Sequence, residues 1–383
     1  MLAPVKPSSP REIALQVAFF GLLVAIAATF VINLHANMAA QHVTSGFSFL
    51  ERATGWDIGF SILPLSIRDP YWKTLLAGLL NTVAVGVVGL VFATMLGLTI
   101  AAMRVFGNPV FATAAKAYVE VIRNIPPLLQ LLAWYAMFTS LPPVRAAYQP
   151  IPSIYLSTRG IFLPGLNVHW TCGVVLVVCA AAAFAYLVWW TFSLRLAFVS
   201  RKSRILHAAI VLSGCAAIAC TGVALGVQPG PLVDRPVLAG LNMRGGQHVP
   251  PELAAILFAT VCYGAAYAAE IIRSGFVGIE PGKVEAGKAL GLGPWTIFAR
   301  IQIPLVAAAV MPMMTNLYVW LMKATTLGIA IGFADLFMVS VSAINQSGQT
   351  MEILLIVAIA FWCLNATIVL LMSRLATHLN RWS

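Results

Sequence analysis

Glu280-Pro-Gly-Lys-Val-Glu285-Ala-Gly-Lys-Ala-Leu-Gly291-Leu-Gly-Pro-Trp-Thr-Ile-Phe-Ala-Arg300-Ile-Gln-Ile-Pro304 lies between two long apolar runs, and its reading decides the fold. Pro281 suits the first turn of a helix, where its missing N–H has no partner to serve. Glu285 falls early in that helix, and Gly291 and Gly293 can end it with a positive φ. Pro294 then starts a second helix, which runs into Pro304 and a new apolar span. The expected product is a hairpin of two short helices standing between membrane spans, regular enough to be gripped by a partner.

The surroundings are those of a membrane protein. Hydrophobic residues make up 60% of the 383 and charged residues 9%, whereas a soluble chain carries roughly 25% charged. Uncharged runs lie near 14–34, 79–103, 124–141, 171–194, 205–226, 252–272, 305–322 and 353–373, and a helix of about 20 residues spans a bilayer. Backbone polar groups in lipid must be satisfied within their own segment, so helix is the expected form. The fold class is therefore an all-α polytopic membrane protein of about eight transmembrane helices. The first run exceeds the roughly 7–15-residue apolar core of a cleaved signal peptide, and reads as a retained helix.

Charge sets the orientation. The net charge of +11 is not a nucleic-acid signature, because the basic residues collect on one side of the membrane. Arg195, Arg201, Lys202 and Arg204 crowd the loop 195–204 with no acid and place it in the cytoplasm. Both termini and the 280–304 hairpin then fall inside, while 35–74 (with Trp56, Tyr71 and Trp72 as interface anchors), 144–170 and 227–251 fall outside. Cys172, Cys179, Cys215, Cys220, Cys262 and Cys363 all sit within apolar runs without metal-type spacing, and read as packing residues. His35, His42, His169, His207, His248 and His378 are scattered, so no metal site and no metal-dependent membrane enzyme is expected.

The hairpin resembles the E-A-A-x3-G-x9-I-x-L-P consensus of binding-protein-dependent ABC importer permeases. Glu285, Ala286, Gly287, Gly291, Ile301, Ile303 and Pro304 fall in register, with Gly287 for the second Ala and Ile303 for Leu. The resemblance implies a cytoplasmic loop that docks in a groove of an ATPase subunit, with Glu285, Ala286, Gly287, Gly291 and Pro304 as coupling residues. The same stretch nearly spells a phosphate-binding P-loop from Gly282 to Ala289. Ala289 takes the place of the hydroxyl that would hold Mg²⁺, and the lead-in is an apolar run expected to be helical, not a strand. No cofactor is expected on this chain; ATP and Mg²⁺ would belong to the partner ATPase.

Three further segments resemble the polar amino-acid branch of those permeases. Glu120-Val-Ile-Arg123-Asn-Ile-Pro126-Pro127-Leu-Leu-Gln130 follows E-x-x-R-G-T-P-L-L-x-Q, with Asn124 and Ile125 substituted and a second proline added. Pro126 and Pro127 should break and restart a helix. Ala265-Ala-Tyr267-Ala-Ala-Glu270-Ile-Ile-Arg273 is similar to A-A-Y-x-x-E-x-x-R, and Glu270 and Arg273, one turn apart, are placed to pair. Lys323-Ala-Thr325-Thr326-Leu327 resembles K-D-T-S-L, with Ala324 in place of the acid. The two hydroxyls either face a substrate path beside Lys323 or bond backbone near a helix break.

The resemblance implies a type I importer permease core of five helices, supplied by the second, third, sixth, seventh and eighth runs. Residues 1–12 form a cytoplasmic N-terminus, and 13–73 an extra first helix with a periplasmic segment. The core opens with 74–141, is interrupted by an insert with two extra helices at 142–250, and resumes over 251–383 with the coupling hairpin 280–304. The layout is similar to the general L-amino-acid permease subunits of Gram-negative bacteria, the Q-type subunit above all. The partners implied are an ABC ATPase dimer, a second and different permease chain, a periplasmic amino-acid-binding protein and an amino-acid substrate, at the bacterial inner membrane. The rival is an ion-coupled secondary amino-acid transporter, which would need ionisable residues at mid-membrane. Glu120, Glu270, Lys323 and Glu352 fall near the ends of the expected spans, against that rival.

Overall fold

The computed structural model describes residues 10–40, 46–167, 213–214, 217 and 233–380. The runs expected at 171–194 and 205–226 and the loop 195–204 lie outside these residues, apart from helical pieces at 213–214 and 217. The helices are α1 (Pro10–Ala40), α2 (Tyr71–Phe106), α3 (Pro109–Asn124), α4 (Pro127–Thr139), α5 (Pro251–Val277), α6 (Pro281–Ala289), α7 (Pro294–Ile297), α8 (Ile303–Ala324), α9 (Leu336–Ser347) and α10 (Thr350–Asn380). Among the described residues four stretches are long and apolar enough to cross a membrane: Tyr71–Phe106, Pro251–Val277, Pro294–Ile331 and Thr350–Thr377.

The third expected span is shorter than its apolar run. α4 has 13 residues, about 20 Å of helix at 1.5 Å per residue, against a hydrocarbon core of about 30 Å. The prolines are the cause: Ile125 (φ −94°, ψ 128°) and Pro126 (φ −54°, ψ 138°) are extended, which ends α3 and restarts the chain with Pro127 in the first turn of α4. The break is plugged by Gln130, whose Nε2 donates to the carbonyls of Ile122 (2.8 Å) and Ile125 (2.9 Å).

α2 is the mast of the bundle, and small residues let α5 lie against it. Gly89, Ala93, Gly97 and Ala101 recur every four residues on one face. A Cβ on Gly89 would come within 2.7 Å of Thr260, and one on Gly97 within 2.6 Å of Ala268. Close approach of this kind gains dispersion contacts that lipid cannot supply. Toward the N-terminal end of α2 Asn81 and Thr82, both fully buried, tie in two other segments. Asn81 Nδ2 donates to the carbonyls of Phe60 (2.9 Å) and Ala334 (2.8 Å), and Thr82 Oγ1 accepts from the Leu336 N–H (2.9 Å). The segment 46–70 is thereby strapped across α2, α9 and α10, with Phe49, Leu75, Val339 and Ile353 in one cluster. Tyr71, expected as an interface anchor, belongs to that core at 6% exposure.

The chain is not wholly helical. Residues 148–166 and 233–249 form a cap of short antiparallel strands at the end of the bundle opposite the hairpin, the part expected outside: β1 (Tyr148–Ile151), β2 (Ile154–Ser157), β3 (Gly160–Leu163), β4 (Gly165–Leu166), β5 (Val233–Asp234), β6 (Val237–Ala239), β7 (Asn242–Arg244) and β8 (Gln247–Val249). One sheet runs β1-β2-β3-β8, and β4–β5 and β6–β7 form separate pairs. Ile161 faces Val249 and Leu163 faces Gln247, so β3–β8 stitches the segment before the insert's apolar runs to the segment after them.

Candidate functional site

The hairpin is one short helix folded against the foot of a long one. α6 opens with Pro281 in its first turn, as expected, and stops at Gly291, whose φ is +73°. The stop is closed by Gly291 N–H to the Lys288 carbonyl (2.9 Å) and Leu292 N–H to the Gly287 carbonyl (3.1 Å). Gly293 does not share the positive φ expected of it: at φ −64°, ψ 155° it is extended and leads into α7. The second helix runs into Pro304 and the apolar span beyond it, as expected. α7 passes through a π turn at Phe298–Gln302 directly into α8, and the Ile303 N–H reaches back to the Phe298 carbonyl. Pro304 has no N–H for the Arg300 carbonyl and its ring would press on that oxygen, so a wider turn ahead of it lets the helix continue.

This arrangement exposes some motif residues and buries others. Glu285 and Ala286 are exposed, Pro304 is half-buried, and Gly287 is buried. A Cβ on Gly287 would meet Ile301 Cδ1 at 2.9 Å and Ile297 Cγ1 at 3.2 Å, so the glycine sets how closely α6 lies on the foot of α8. Leu290 (78%) and Trp295 (74%) stand out at the turn. Between them and the end of α2 runs an apolar groove of about 900 Å³ with Phe106, Val284, Leu292 and Phe298 in its walls. Phe106 meets Phe276 and Phe298 edge-on, each at 5.3 Å between ring centres, which clamps the hairpin to the ends of α2 and α5.

Behind the clamp Glu270 pairs with Arg273 at 2.6 Å, as expected, and also with Arg104 of α2. Arg104 lies 166 residues away, and no local pattern points to it.

The second candidate region is the end of α8. Thr325 is fully buried and its hydroxyl donates to the Met322 carbonyl (2.9 Å), while Thr326 donates to that of Lys323 (2.8 Å). Both hydroxyls thus serve the start of a 3₁₀ turn, Thr325–Ile331. Lys323 is exposed, and its ammonium forms no ion pair among the described residues. Its depth differs from the expectation of a span end. The neighbouring Met322 lies against Gly86 of α2, close to the middle of the uncharged stretch from Thr74 to Met103. α8 ends at mid-depth because the 3₁₀ turn and α9 complete the crossing. A small pocket beside it is walled by Pro127, Leu131, Thr260, Tyr263 and Trp320. Tyr263 stacks on Trp320 (4.8 Å) and on Tyr267 (4.7 Å), and Arg123 lies over the Tyr267 ring at 4.9 Å. The Pro126–Pro127 break therefore sits beside this pocket, next to a cation–aromatic column.

A helical membrane protein with a short stopped helix at one end of its bundle, and at Lys323 a cation without an ion pair among the described residues, fits the class of a transport permease. The profile of the binding-protein-dependent transport system inner membrane component family matches residues 250–381. The chain is 34% identical over 363 residues to the general L-amino acid transport system permease protein AapQ of Rhizobium johnstonii, covering 93% of this chain and 88% of that one. It is 33% identical over 353 residues to the putative amino-acid ABC transporter permease protein YhdX of Escherichia coli, with 89% and 87% covered. A glutamate/glutamine/aspartate/asparagine transport system permease protein, BztB of Rhodobacter capsulatus, is 27% identical over 398 residues, with 95% and 92% covered. The chain belongs to the amino-acid ABC transporter permeases, inner-membrane components of binding-protein-dependent transport systems.

Proposed function

We propose that this chain forms the translocation path of an ATP-driven importer of L-amino acids. It works with an ATPase dimer, a second and different permease chain and a periplasmic amino-acid-binding protein. The observation that carries the reading is α6, a helix stopped by a left-handed glycine at its end and offering exposed Glu285, Ala286 and Leu290 to a partner. Family membership supports the rest, as do the substrate classes in the relatives' names. The termini and the hairpin lie in the cytoplasm. This chain carries no catalytic group and holds neither ATP nor Mg²⁺, which are bound by the ATPase.

The mechanism follows from coupling. Closure of the ATPase dimer on ATP pushes on α6, and the push passes through the Phe106, Phe276 and Phe298 clamp to α2, α5 and α8. Transport requires the two permease conformations to differ in their free energy of contact with the closed ATPase. In the path, Lys323 meets the substrate carboxylate. A cation at this depth is tolerated only where it faces a watered path or a partner.

The test is reconstitution in proteoliposomes with the ATPase, the second permease and the binding protein. Wild-type chain is expected to support ATP-dependent amino-acid uptake. Gly291→Val, strained by roughly 1–2 kcal/mol in a left-handed backbone, should insert normally but release the ATPase and lose uptake. Uptake driven by a proton gradient without ATP would sink the reading in favour of an ion-coupled carrier. Wild-type association and uptake in Gly291→Val would remove α6 from the coupling role.

A further inference from the structure

The outer cap carries a charge that its surroundings do not explain. Its two described segments, 142–167 and 233–249, hold four arginines, Arg145, Arg159, Arg235 and Arg244, against the single acid Asp234. The other outer segment, 46–73, is balanced, with Glu51, Asp57 and Asp69 against Arg52, Arg68 and Lys73. Basic residues outside run against the bias that orients the chain, so a concentrated set there opposes the topology signal.

The fold brings together the segments that carry three of the four. Val144 and Met243 share one buried cluster, so the turn Val144–Ala146 that holds Arg145 packs against the strand β7 that ends in Arg244, although the insert's apolar runs separate them in sequence. Arg235 reaches the same corner: its carbonyl lies 2.9 Å from where a Gly245 Cβ would sit. All three are exposed, and none forms an ion pair among the described residues. Asp234 forms no ion pair with them among the described residues, its Oδ2 accepting from the Gly246 N–H at 2.9 Å inside the β7–β8 turn, and its one negative charge still leaves the two segments strongly basic. Next to this corner the β6–β7 hairpin exposes Val237 (63%) and Leu241 (67%).

We propose that this corner is a docking surface for an acidic protein face, that of the periplasmic amino-acid-binding protein. The partner's identity rests on the importer reading above. Exposed guanidinium groups, one on strand β7, one on the turn Val144–Ala146 and one on the link between β5 and β6, suit fork-like bonding to carboxylates, and an excess of one sign of charge steers an acidic partner onto the outer face. The exposed valine and leucine supply apolar contact beside the charged patch, the mixture usual in protein interfaces.

The experiment uses the complete permease–ATPase complex in phosphatidylcholine nanodiscs, with the binding protein of the same transport system as probe. Affinity is titrated at low and high salt, and hydrolysis is measured with and without the probe. The triple variant Arg145→Gln, Arg235→Gln, Arg244→Gln is expected to bind about tenfold or more weakly at low salt. It should also lose most of the salt dependence, with basal hydrolysis unchanged. The matching triple lysine variant should recover much of the affinity, because it keeps the charge. Wild-type affinity in the glutamine variant overturns the proposal, as does equal loss in the lysine variant, which would mark a purely structural role. A defect seen only when phosphatidylglycerol is added to the nanodiscs overturns it in favour of lipid headgroups. If the wild-type complex neither binds nor responds to the binding protein, the importer reading fails with it. Binding by wild type with no effect of the glutamine changes refutes the docking surface alone.

Discussion

The α6 hairpin and the strand cap lie at opposite ends of the helix bundle, and they are built in opposite ways. The hairpin is contiguous: Pro281, Gly287 and Gly291 start, pack and stop one helix within a few residues of each other. The cap is assembled from two segments on either side of the insert's apolar runs, and its sheet closes only when β8 pairs with β3. A contiguous device depends on backbone preferences and tolerates changes elsewhere in the chain. An assembled one depends on pairing, and a single residue at the seam disturbs the whole. The proposed contact surface of the hairpin is correspondingly visible as a motif, while the one proposed for the cap draws on segments that only folding brings together.

The sharpest way to separate the path from both devices is Lys323→Met, which keeps the stem and removes the charge. If Lys323 binds the substrate carboxylate, uptake should fall roughly tenfold or more, the worth of a charge-assisted hydrogen bond. ATPase co-purification and binding-protein affinity should remain at wild-type values. Unchanged uptake across several amino acids would take Lys323 out of the path.

Next in size is Gly160→Val at the cap seam. Gly160 holds φ +114°, and a Cβ there would strike the Val249 carbonyl and come within 3.0 Å of Pro250. A local loss of roughly 2 kcal/mol is expected, read as faster hydrogen exchange in β3 and β8 with the ATPase still bound. Simultaneous loss of ATPase binding would show that cap and hairpin are not independent.

Gly287→Ala is a smaller perturbation. The new Cβ meets only the ends of the Ile297 and Ile301 side chains, so those rotamers can give way at under about 1 kcal/mol. Coupling should persist. Loss of uptake would mean that the close approach of α6 to α8 is itself a step in the transmission.

The smallest effect is expected at Asp69, outside the spans. The Lys73 ammonium at 2.8 Å and the Ser66 N–H at 2.7 Å hold its carboxyl below the ordinary value. A depressed carboxyl stabilises the fold above its unfolded pKa and loses that contribution as pH falls through the lowered one. Asp69→Asn should therefore lower Tm slightly at neutral pH, with the difference vanishing in acid. A difference that grows in acid would contradict the assignment.

Much of the inner half was legible without coordinates. Pro281, Gly291 and Pro294 act through backbone geometry, and backbone geometry is local, so the stop and restart could be placed to the residue. The Pro126–Pro127 break followed from the same reasoning. One reading nearby did not hold: Gly293 is extended, because Gly291 already makes the turn. The π turn by which the helix passes Pro304 has no signal in the sequence beyond the proline itself. The four-residue recurrence of Gly89, Ala93, Gly97 and Ala101 was a signal available in the sequence, and it marks the face that α5 covers.

What the sequence by itself determined is the membrane class, the hairpin and the Glu270–Arg273 pair, because hydropathy, proline and glycine geometry and one-turn spacing are all short-range properties. Only the tertiary structure decided the rest. Arg104 joins Glu270 because α2 and α5 pack side by side along small residues. Lys323 lies at mid-depth because α8 ends against the middle of α2 and a 3₁₀ turn continues from it. The arginine-bearing segments of the cap come together because β3 finds β8 beyond the insert's apolar runs and Val144 packs with Met243. Each of these depends on contacts between residues far apart in the chain, whose positions are set by packing and pairing and are written in no single stretch of sequence.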